Sequence, residues 1–415
     1  MSIATTFLAR WTLAAGFMAC IGSAAAFQQT TEATGLAWLD KGQGLSDAPG
    51  PAAFGTADVE RELQHAGMDR IGSLPVSCHG RRQHGVLYHV RKLPIGGTLV
   101  AEAYALNDAG LVVGYTGSAV DMPARPTLWA GARRYDLGTP AGEGGIAYGI
   151  GDAGAVVGSV GIPGRVSATA AALWYKGVRY TLRSPDFNNP DNFDLLTSAL
   201  AINRAGTIVG NVHTVASDDD RPVVWRRGMP RLLPPLVSTA IARAINDVGF
   251  VVGDGDYPGG VLRRHALLWT PDGRVVELDT QAVLDSRAYD VNNKGKIVGT
   301  AEPLGAEIGG PAVWYRGRRT ALSIPAGIGG AARAINERDQ IVGFQGRGLS
   351  NPERALTWYG STGYQLDTLL DDESRGIVIN DALDINDRGQ ILATTVLPNG
   401  RSQPLLLTPR PCYRR

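Results

Sequence analysis

Short apolar runs that end in asparagine or glycine recur along most of this chain. One twelve-residue motif organises them: a small apolar stretch, then Asn-x-x-Gly, then a mostly β-branched pair, then glycine. It occurs seven times, and the asparagine position, the anchor, falls at 107, 151, 203, 246, 292, 336 and 386, a repeat of 43 to 52 residues. Self-similarity at this period predicts a stacked array or a closed ring of supersecondary units, here called units 1 to 7.

Unit 4, residues 242–278, shows how one repeat is built. Its apolar segments predict four short strands, at 242–246, 250–253, 265–269 and 275–278. Four strands in a repeat of this length are typical of a β-propeller blade. The Asn-x-x-Gly turn fits, because an Asn side chain caps a backbone N–H two residues on and the late glycine accepts left-handed backbone. Gly151 replaces the Asn in unit 2, and Asp339 replaces that Gly in unit 6.

A second anchor, a tryptophan, follows the first by 22 or 23 residues in six units. Because a large aromatic residue in register fills the wedge between neighbouring blades, we expect these indoles in the core. Exposed indoles that stack on sugars are the alternative. The six residues are Trp129, Trp174, Trp225, Trp269, Trp314 and Trp358, and Leu407 takes the seventh place.

The array begins and ends out of phase, which predicts how it closes. Unit 7 has three predicted strands and no fourth, whereas a strand-like segment at 84–93 precedes unit 1. The sequence therefore predicts an all-β fold, a seven-bladed β-propeller of four-stranded blades closed by this N-terminal strand over residues 78–412. Cys78 and Cys412 flank the closure, and an even number of cysteines in an oxidising compartment suggests a disulfide. Two unpaired thiols or a ligand pair remain the alternative.

The first 26 residues have the features of a secretory signal peptide: Arg10, an apolar run at 11–22 and three alanines at 24–26. The run is too short to span a membrane. We expect a secreted or periplasmic monomer without membrane insertion, and lipidation of Cys20 is the alternative. Residues 27–77 are rich in Gly, Pro, Ala and acidic residues and predict a poorly ordered leader or linker.

Composition supports a chain of many strands and excludes some partners. Glycine is abundant, with 54 residues, and only 19% of residues are charged. The net charge of +1 provides no field for nucleic acid, which we do not expect as a partner. We expect the arginines of the third-to-fourth turns to pair with acids of neighbouring Asn-x-x-Gly turns: Asp108, Asp152, Asp247 and Asp387.

The motif resembles the HAF repeat of bacterial extracellular proteins, in which an A-x-x-[IV]-N-x-x-G-x-[IV]-V-G core recurs. The resemblance covers about residues 100 to 410. It implies an exported, propeller-like repeat protein and assigns no catalytic residue.

The variable loops, from second to third strand and from fourth strand to the next unit, are where a propeller usually carries function. Their aromatic and acidic residues suit a glycan or protein ligand. Oxygen-rich loops also suit Ca²⁺, but no D-x-D-x-D-G spacing is present, and we expect no metal and no cofactor. The binding candidates are Phe187, Asp191, Phe193, Asp194, Asp219, Asp254, Asp256, Tyr257, Asp371 and Asp372.

No catalytic motif is present: the sequence lacks G-x-S-x-G, H-E-x-x-H, C-x-x-C and a phosphate-binding glycine loop. We therefore favour a binding or scaffold module for a glycan, a cell-envelope component or a protein over an enzyme. The alternative is a glycan-active hydrolase or lyase whose carboxylates converge at the channel mouth. A purely structural envelope protein is a third class.

If Cys78 and Cys412 form the closing disulfide, neither thiol reacts with a maleimide probe in exported, unreduced protein, because both sulfurs are oxidised. Mass spectrometry of a non-reduced digest then contains a peptide that joins the two cysteines. Labelling of both thiols without reduction would contradict the pairing.

Overall fold

The computed structural model describes most of the repeat region and parts of the leader. The described residues are 36, 39, 50–51, 76–77, 86–96, 100–117, 123–165, 168–185, 195–214, 219–234, 236, 239–256, 263–279, 283–304, 308–325, 329–346 and 353–413. The predicted signal peptide lies outside them. Within these ranges no helix has the length and apolar character needed to span a membrane.

Each unit contains strands in the order that its sequence predicts. The first strands are Val100–Leu106, Gly145–Ile150, Leu195–Ile202, Ala240–Ile245, Val283–Val291, Gly330–Ile335 and Asp381–Ile385. The second strands are Val112–Gly117, Val156–Gly161, Ile208–Thr214, Val251–Asp256, Ile297–Pro303, Ile341–Gln345 and Ile391–Val396.

The third and fourth strands complete the units. The third strands are Arg125–Ala130, Thr169–Tyr175, Asp219–Arg226, Arg264–Trp269, Gly310–Tyr315, Arg354–Tyr359 and Ser402–Tyr413. The fourth strands are Arg133–Asp136, Val178–Thr181, Met229–Leu232, Val275–Glu277, Arg318–Ala321, Thr362–Gln365 and, for unit 7, Val86–Lys92. The remaining elements are the short strands Gly50–Pro51 and Val76–Ser77 and the 3₁₀ helix Leu366–Leu369.

Strand pairing makes this chain an all-β propeller of four-stranded blades. Neighbouring strands of a unit pair antiparallel, and the described residues form four sheets of four strands, one of five and one of nine. The nine-stranded sheet contains units 2 and 3, joined by one parallel pair between Thr169 and Leu196. In unit 7, Val86–Lys92 pairs antiparallel with the third strand, as the out-of-phase array predicts.

The tryptophans fill the space between blades, which confirms the core interpretation. All six indoles are at most 2% exposed, and the seventh-place Leu407 is fully buried. Each Nε1 donates a hydrogen bond to an oxygen that follows the fourth strand of the preceding unit. Trp129 of unit 1 bonds in this way to Pro94 O at 2.8 Å, directly after the N-terminal strand of unit 7.

A β-bulge in every first strand explains the last glycine of the motif. In unit 4 the pairing register shifts between Ala242 and Ala244, and the other six units shift at the same place. The bulge brings Ile241 O so close that a Cβ on Gly253 would lie 1.8 Å away. In units 1, 2, 3, 5 and 6 the corresponding distance is 1.9 to 2.0 Å. Ala393 of unit 7 is the exception.

The anchor asparagines form a hydrogen-bonded ladder around the ring, here called the asparagine ladder. Asn246 Oδ1 accepts from Phe250 N at 2.9 Å, and its Nδ2 donates to Asn292 O of the next unit at 2.9 Å. Six such bonds link successive units. The bond from Asn386 Nδ2 to Asn107 O, at 3.0 Å, returns the ladder to its start. In all six units that have an anchor asparagine, its Oδ1 accepts from the N–H four residues on. The expected bond from the N–H two residues on is also present in units 6 and 7.

A second ladder, the acidic ladder, runs beside the first. The backbone N–H of the residue after each anchor donates to the side chain at the same position of the next unit, as Asp387 N does to Asp108 Oδ1 at 2.8 Å. Six bonds of this kind are present. These acids therefore accept backbone N–H groups, and their pairing with arginines of the third-to-fourth turns stays a prediction. Arg204, of the Asn-x-x-Gly turn of unit 3, lies 3.8 Å from Asp152 and 4.0 Å from Asp247.

Both ladders are interrupted at one interface, the seam between units 2 and 3. Gly151 has no side chain that could donate to Asn203 O. The side chain of Arg204 has no acceptor atom for the backbone N–H of Asp152. Every other interface of the ring carries both kinds of bond among the residues described.

Parts of the predicted leader lie against this seam. Leu36 and Leu39 are 4% and 6% exposed and belong to a hydrophobic cluster formed by units 2 and 3. Gly50–Pro51 pairs antiparallel with the fourth strand of unit 2. Of residues 27–77, the structure otherwise describes only Val76–Ser77.

The disulfide stays a prediction, because Cys78 and the side chain of Cys412 lie outside the described residues. The backbone of Cys412 pairs in parallel with Val76, two residues before Cys78 in the chain.

The close approach at the bulge makes the last glycine of the motif a sharp test of the fold. Gly253→Ala should lower the free energy of unfolding by about 2–4 kcal/mol, because the new methyl group overlaps a backbone carbonyl. The measurement is urea unfolding followed by tryptophan fluorescence.

Gly310→Ala is the matched control. No heavy atom lies within 4 Å of a Cβ at this position, and its φ is not positive. Its effect should stay within about 0.5 kcal/mol. Equal effects of the two substitutions would contradict the bulge explanation.

Candidate functional site

The first strands surround the axis of the ring. The extra residue that each bulge inserts, here called the bulge residue, is larger than the motif residues on either side of it. Tyr104 and Tyr148 of units 1 and 2 lie 5.6 Å apart between ring centroids. Both belong to one cluster with Leu200 and Ile241, so side chains of four consecutive units meet there. The seven bulge residues are Tyr104, Tyr148, Leu200, Arg243, Tyr289, Arg333 and Leu383.

One side of this axis region is aromatic and is built around a carboxylate. Tyr104 Oη donates to Glu102 Oε2 at 2.7 Å, and Tyr115 stacks on Tyr104 at 6.1 Å between centroids. Burial raises the pKa of Tyr104 well above its usual value, and the charge of Glu102 adds to the shift. Burial also raises the pKa of Tyr148 to about 12. Both phenols therefore stay protonated at neutral pH, and Tyr104 donates its hydrogen bond to the Glu102 carboxylate.

The other side carries ion pairs. Asp254 is fully buried and forms ion pairs with Arg243 and Arg264. Burial raises the pKa of Asp254, but the charges of Arg243, Arg264 and Arg287 outweigh burial and hold it below its usual value. This carboxylate is therefore ionised at neutral pH.

Arg243 of unit 4 lies against the ring of Tyr289 of unit 5, and the charges of Arg287 and Arg333 act on the same phenol. Arg243 Cζ lies 5.5 Å from the ring centroid of Tyr289. Burial raises the pKa of Tyr289, while the charges of Arg243, Arg287 and Arg333 oppose the shift. Arg333 Nη2 also pairs with Asp381 Oδ2 at 2.7 Å, and its Cζ lies 4.8 Å from the ring centroid of Phe344.

Glu102 and Arg287 lie on the side of the bulge residues that faces away from the Asn-x-x-Gly turns. The residue directly before each motif pairs with the residue that follows the last motif position on the second strand; Arg287, for example, pairs with Thr300. The second strand runs from the turn toward the variable loops, so Glu102 and Arg287 lie on the variable-loop side of their bulge residues. The side chain of Arg287 is 20% exposed.

Half of the sequence-predicted binding residues cannot be placed. The five that lie outside the described residues are Phe187, Asp191, Phe193, Asp194 and Tyr257. Of the rest, only Asp254 and Asp256 come together, since Asp256 Oδ1 lies 3.3 Å from Nη1 of the same Arg264 that pairs with Asp254. Asp219 accepts from Thr239 Oγ1 at 3.1 Å, and Asp372 is 73% exposed in an ion pair with Arg375.

Asp371 belongs to a separate cluster beside the N-terminal strand. His89 Nδ1 lies 3.0 Å from Asp371 Oδ2 and 3.4 Å from Glu373 Oε2. The donor atoms of these three residues lie within 4.8 Å of one another, a spacing that a metal ion could bridge. Arg410 Nη1 already lies 3.0 Å from Asp371 Oδ2 and 3.6 Å from Glu373 Oε2, so its charge occupies the position of a cation.

Sequence reasoning missed the arginines and tyrosines of the bulge positions. A signal was present, because the second position of the motif reads Tyr, Tyr, Leu, Arg, Tyr, Arg, Leu in units 1 to 7, between alanine and small or acidic residues. The sequence pattern does not reveal the bulge, and without the bulge nothing indicates that this position faces the axis.

The acids of the acidic ladder lie at the end of the ring formed by the Asn-x-x-Gly turns. Burial raises the pKa of Asp108 to about 7, with the charge of Asp152 as the next cause. Burial raises the pKa of Asp152 to about 6, and it also raises the pKa values of Glu337 and Asp387. Asn293 holds the same position in unit 5 without a charge.

Known proteins offer only distant similarity. No protein-family model matches the chain, and no curated protein matches it. Among solved structures, TolB from Acinetobacter baumannii is 11% identical, with a TM-score of 0.39 over 74% of this chain and 65% of the TolB chain. This chain thus covers less than two thirds of TolB. The β-propeller domain of the Trilobed protease from Pyrococcus furiosus is 11% identical, with a TM-score of 0.35 over 68% of this chain and 97% of that chain.

The acidic ladder predicts a stability that falls as the pH rises. The pKa values of Asp108 and Asp152 are raised above their usual value, so their contribution to stability is complete at low pH and is lost as the pH rises through about 6 and about 7. We expect a lower Tm at about pH 8 than at about pH 5, measured by differential scanning fluorimetry.

Two reciprocal variants isolate this effect. Asp108→Asn keeps an acceptor for the N–H of Asp387 without the charge and should raise the Tm at about pH 8 by about 2–4 °C. Asn293→Asp adds a carboxylate to the ladder and should lower the Tm at about pH 8. At about pH 5 its Tm should differ less from that of the unaltered protein. Unchanged pH profiles in both variants would contradict the assignment to this ladder.

Proposed function

We propose that this chain is an exported binding module that engages a glycan, a cell-envelope component or a protein at the variable-loop end of its channel. The observation that carries the proposal is the convergence of side chains from separate units on one axis. Tyrosines around Glu102 form one wall, and arginines around Tyr289 form the other. Neither the net charge of the chain nor the distantly similar solved structures support the proposal.

These side chains suit recognition of a ligand rich in polar groups. Tyr104 and Tyr115 are rigid rings with a hydroxyl group, and Arg287 presents several donors in a fixed plane. Positive and negative groups alternate along the Arg243–Asp254–Arg264 network, so no single charge sign dominates this wall. Hydroxyl, amide and paired charged groups of a ligand are the matching chemistry.

The proposal includes the finer features that the repeat predicts. We propose seven blades, counting units 2 and 3 of the nine-stranded sheet as two, and membership of the HAF-repeat family. Support comes from seven motifs and from ladders that return from unit 7 to unit 1. The secreted or periplasmic location, the monomeric state and the Cys78–Cys412 disulfide belong to the same proposal.

The test is retention of ligand on immobilised protein. Glycans and cell-envelope fractions are passed over it, and both bound material and released products are analysed. Arg287→Ala and Tyr115→Ala should each weaken retention at least tenfold, because both remove contacts at the channel end.

Arg274→Ala is the matched control for Arg287→Ala. Arg274 also pairs with an aspartate, Asp272, but its side chain is 78% exposed in a third-to-fourth turn at the other end of the blade. Retention by this variant should equal that of the unaltered protein. Equal losses in the two arginine variants would contradict the channel assignment, and released product would favour the glycan-active enzyme.

A further inference from the structure

The seam between units 2 and 3 lacks the two ladder bonds that link every other pair of neighbouring units among the described residues, and a parallel strand pair between Thr169 and Leu196 joins the two units there. At that interface Gly151 removes the donor of the asparagine ladder, and Arg204 removes the acceptor of the acidic ladder. Each missing bond leaves a backbone group near the axis without the partner that its counterparts have. The ring therefore depends at this seam on contacts made elsewhere.

The same seam has contacts that are not part of the repeat. Leu36 and Leu39 are buried in the hydrophobic cluster that units 2 and 3 share. Leu39 N donates to Leu36 O at 3.0 Å, so a tight turn places both leucines on the seam. Residues of both units contribute to this cluster, including Leu173 and Tyr175 from unit 2 and Ile202 and Trp225 from unit 3.

A backbone contact fixes the same segment to unit 2. Gly50 pairs with Arg179 and Pro51 with Val178 on the fourth strand, the outer edge of the blade. Among the described residues this is the one fourth strand of units 1 to 6 that has a further strand beside it. Addition of a strand to a free sheet edge is a common mode of peptide recognition, in which side chains in neighbouring pockets give specificity. Leu36 and Leu39, from an earlier turn of the same N-terminal segment, supply the buried apolar side chains.

We propose that the seam between units 2 and 3 is a peptide-docking surface whose occupant is this chain's own N-terminal segment. Leu36, Leu39 and Gly50–Pro51 clasp the two units and compensate for the missing ladder bonds. The interaction is independent of the ligand proposed for the channel.

The test is hydrogen exchange of the full chain, read by mass spectrometry at two interfaces. The seam is read in Thr169–Tyr175 and Leu195–Ile202, and the interface of units 5 and 6 in Ile297–Pro303 and Gly330–Ile335. Combined Leu36→Ala and Leu39→Ala substitution should lower protection at least tenfold at the seam and leave the second interface unchanged. Equal loss at both interfaces, or no loss at the seam, would overturn the proposal.

A ladder repair tests the compensation directly. A Cβ at Gly151 meets only ordinary contacts, with Ile202 Cγ2 at 3.4 Å, so Gly151→Asn can supply the missing donor to Asn203 O. This variant should raise protection at the seam, and it should reduce the loss caused by the two leucine substitutions to less than half. The same loss with and without Gly151→Asn would refute compensation.

Two further variants keep the test decisive. Leu36→Val removes only one methylene group and serves as the milder variant if the double variant does not fold. It should cause a smaller loss of hydrogen-exchange protection, confined to the seam. Leu304→Ala is the matched control, because this leucine of unit 5 is 60% exposed, and it should leave both interfaces unchanged. Seam loss in the control equal to that of Leu36→Val would count against the clasp.

Discussion

The hydrogen bonds between neighbouring Asn-x-x-Gly turns are the constraint on which the rest of the ring depends. Each anchor side chain satisfies a backbone N–H of its own turn and a carbonyl of the next unit. These groups are buried, and an unpaired buried polar group costs about 1–3 kcal/mol, so the turns hold one spacing around the axis. The tryptophans then fill the wedge that this spacing leaves farther out. Polar contacts set the inner radius, and apolar burial stabilises the blades around it.

The bulge in each first strand links this scaffold to the candidate site. In six units a glycine lies on the facing second strand, where a Cβ would overlap a backbone carbonyl of the bulged strand. The bulge also leaves one residue per unit outside the pairing register of the two strands, and these residues come together near the axis, as Tyr104, Tyr148 and Leu200 do. The scaffold does not dictate the identity of this residue, so this position varies from Tyr148 to Leu200 to Arg243 while its neighbours stay small. Each unit thus presents a different side chain at the same position of the repeated backbone.

The departure from symmetry at units 2 and 3 shows how a repeat array tolerates a lost contact. Stability of such arrays is close to a sum of unit and interface terms, so a weak interface affects its own neighbours first. Here the N-terminal segment buries two leucines at the interface that lacks both ladder bonds. Burial of a leucine side chain stabilises by about 1.5–3 kcal/mol, which is the order of the missing hydrogen bonds.

The sequence by itself determined the repeat, the four strands of each unit, the tryptophan core and the closing strand, because period, alternation and turn residues are local properties. It did not determine which side chains share the channel. Arg243, Arg287 and Arg333 are separated by more than 40 residues along the chain, and only the bulge and the ring bring them to Tyr289. Likewise, no local pattern indicated that Leu36 and Leu39 belong to the core of units 2 and 3. Contacts between units depend on the radius and closure of the whole ring, and those are tertiary quantities that a motif read one repeat at a time does not contain.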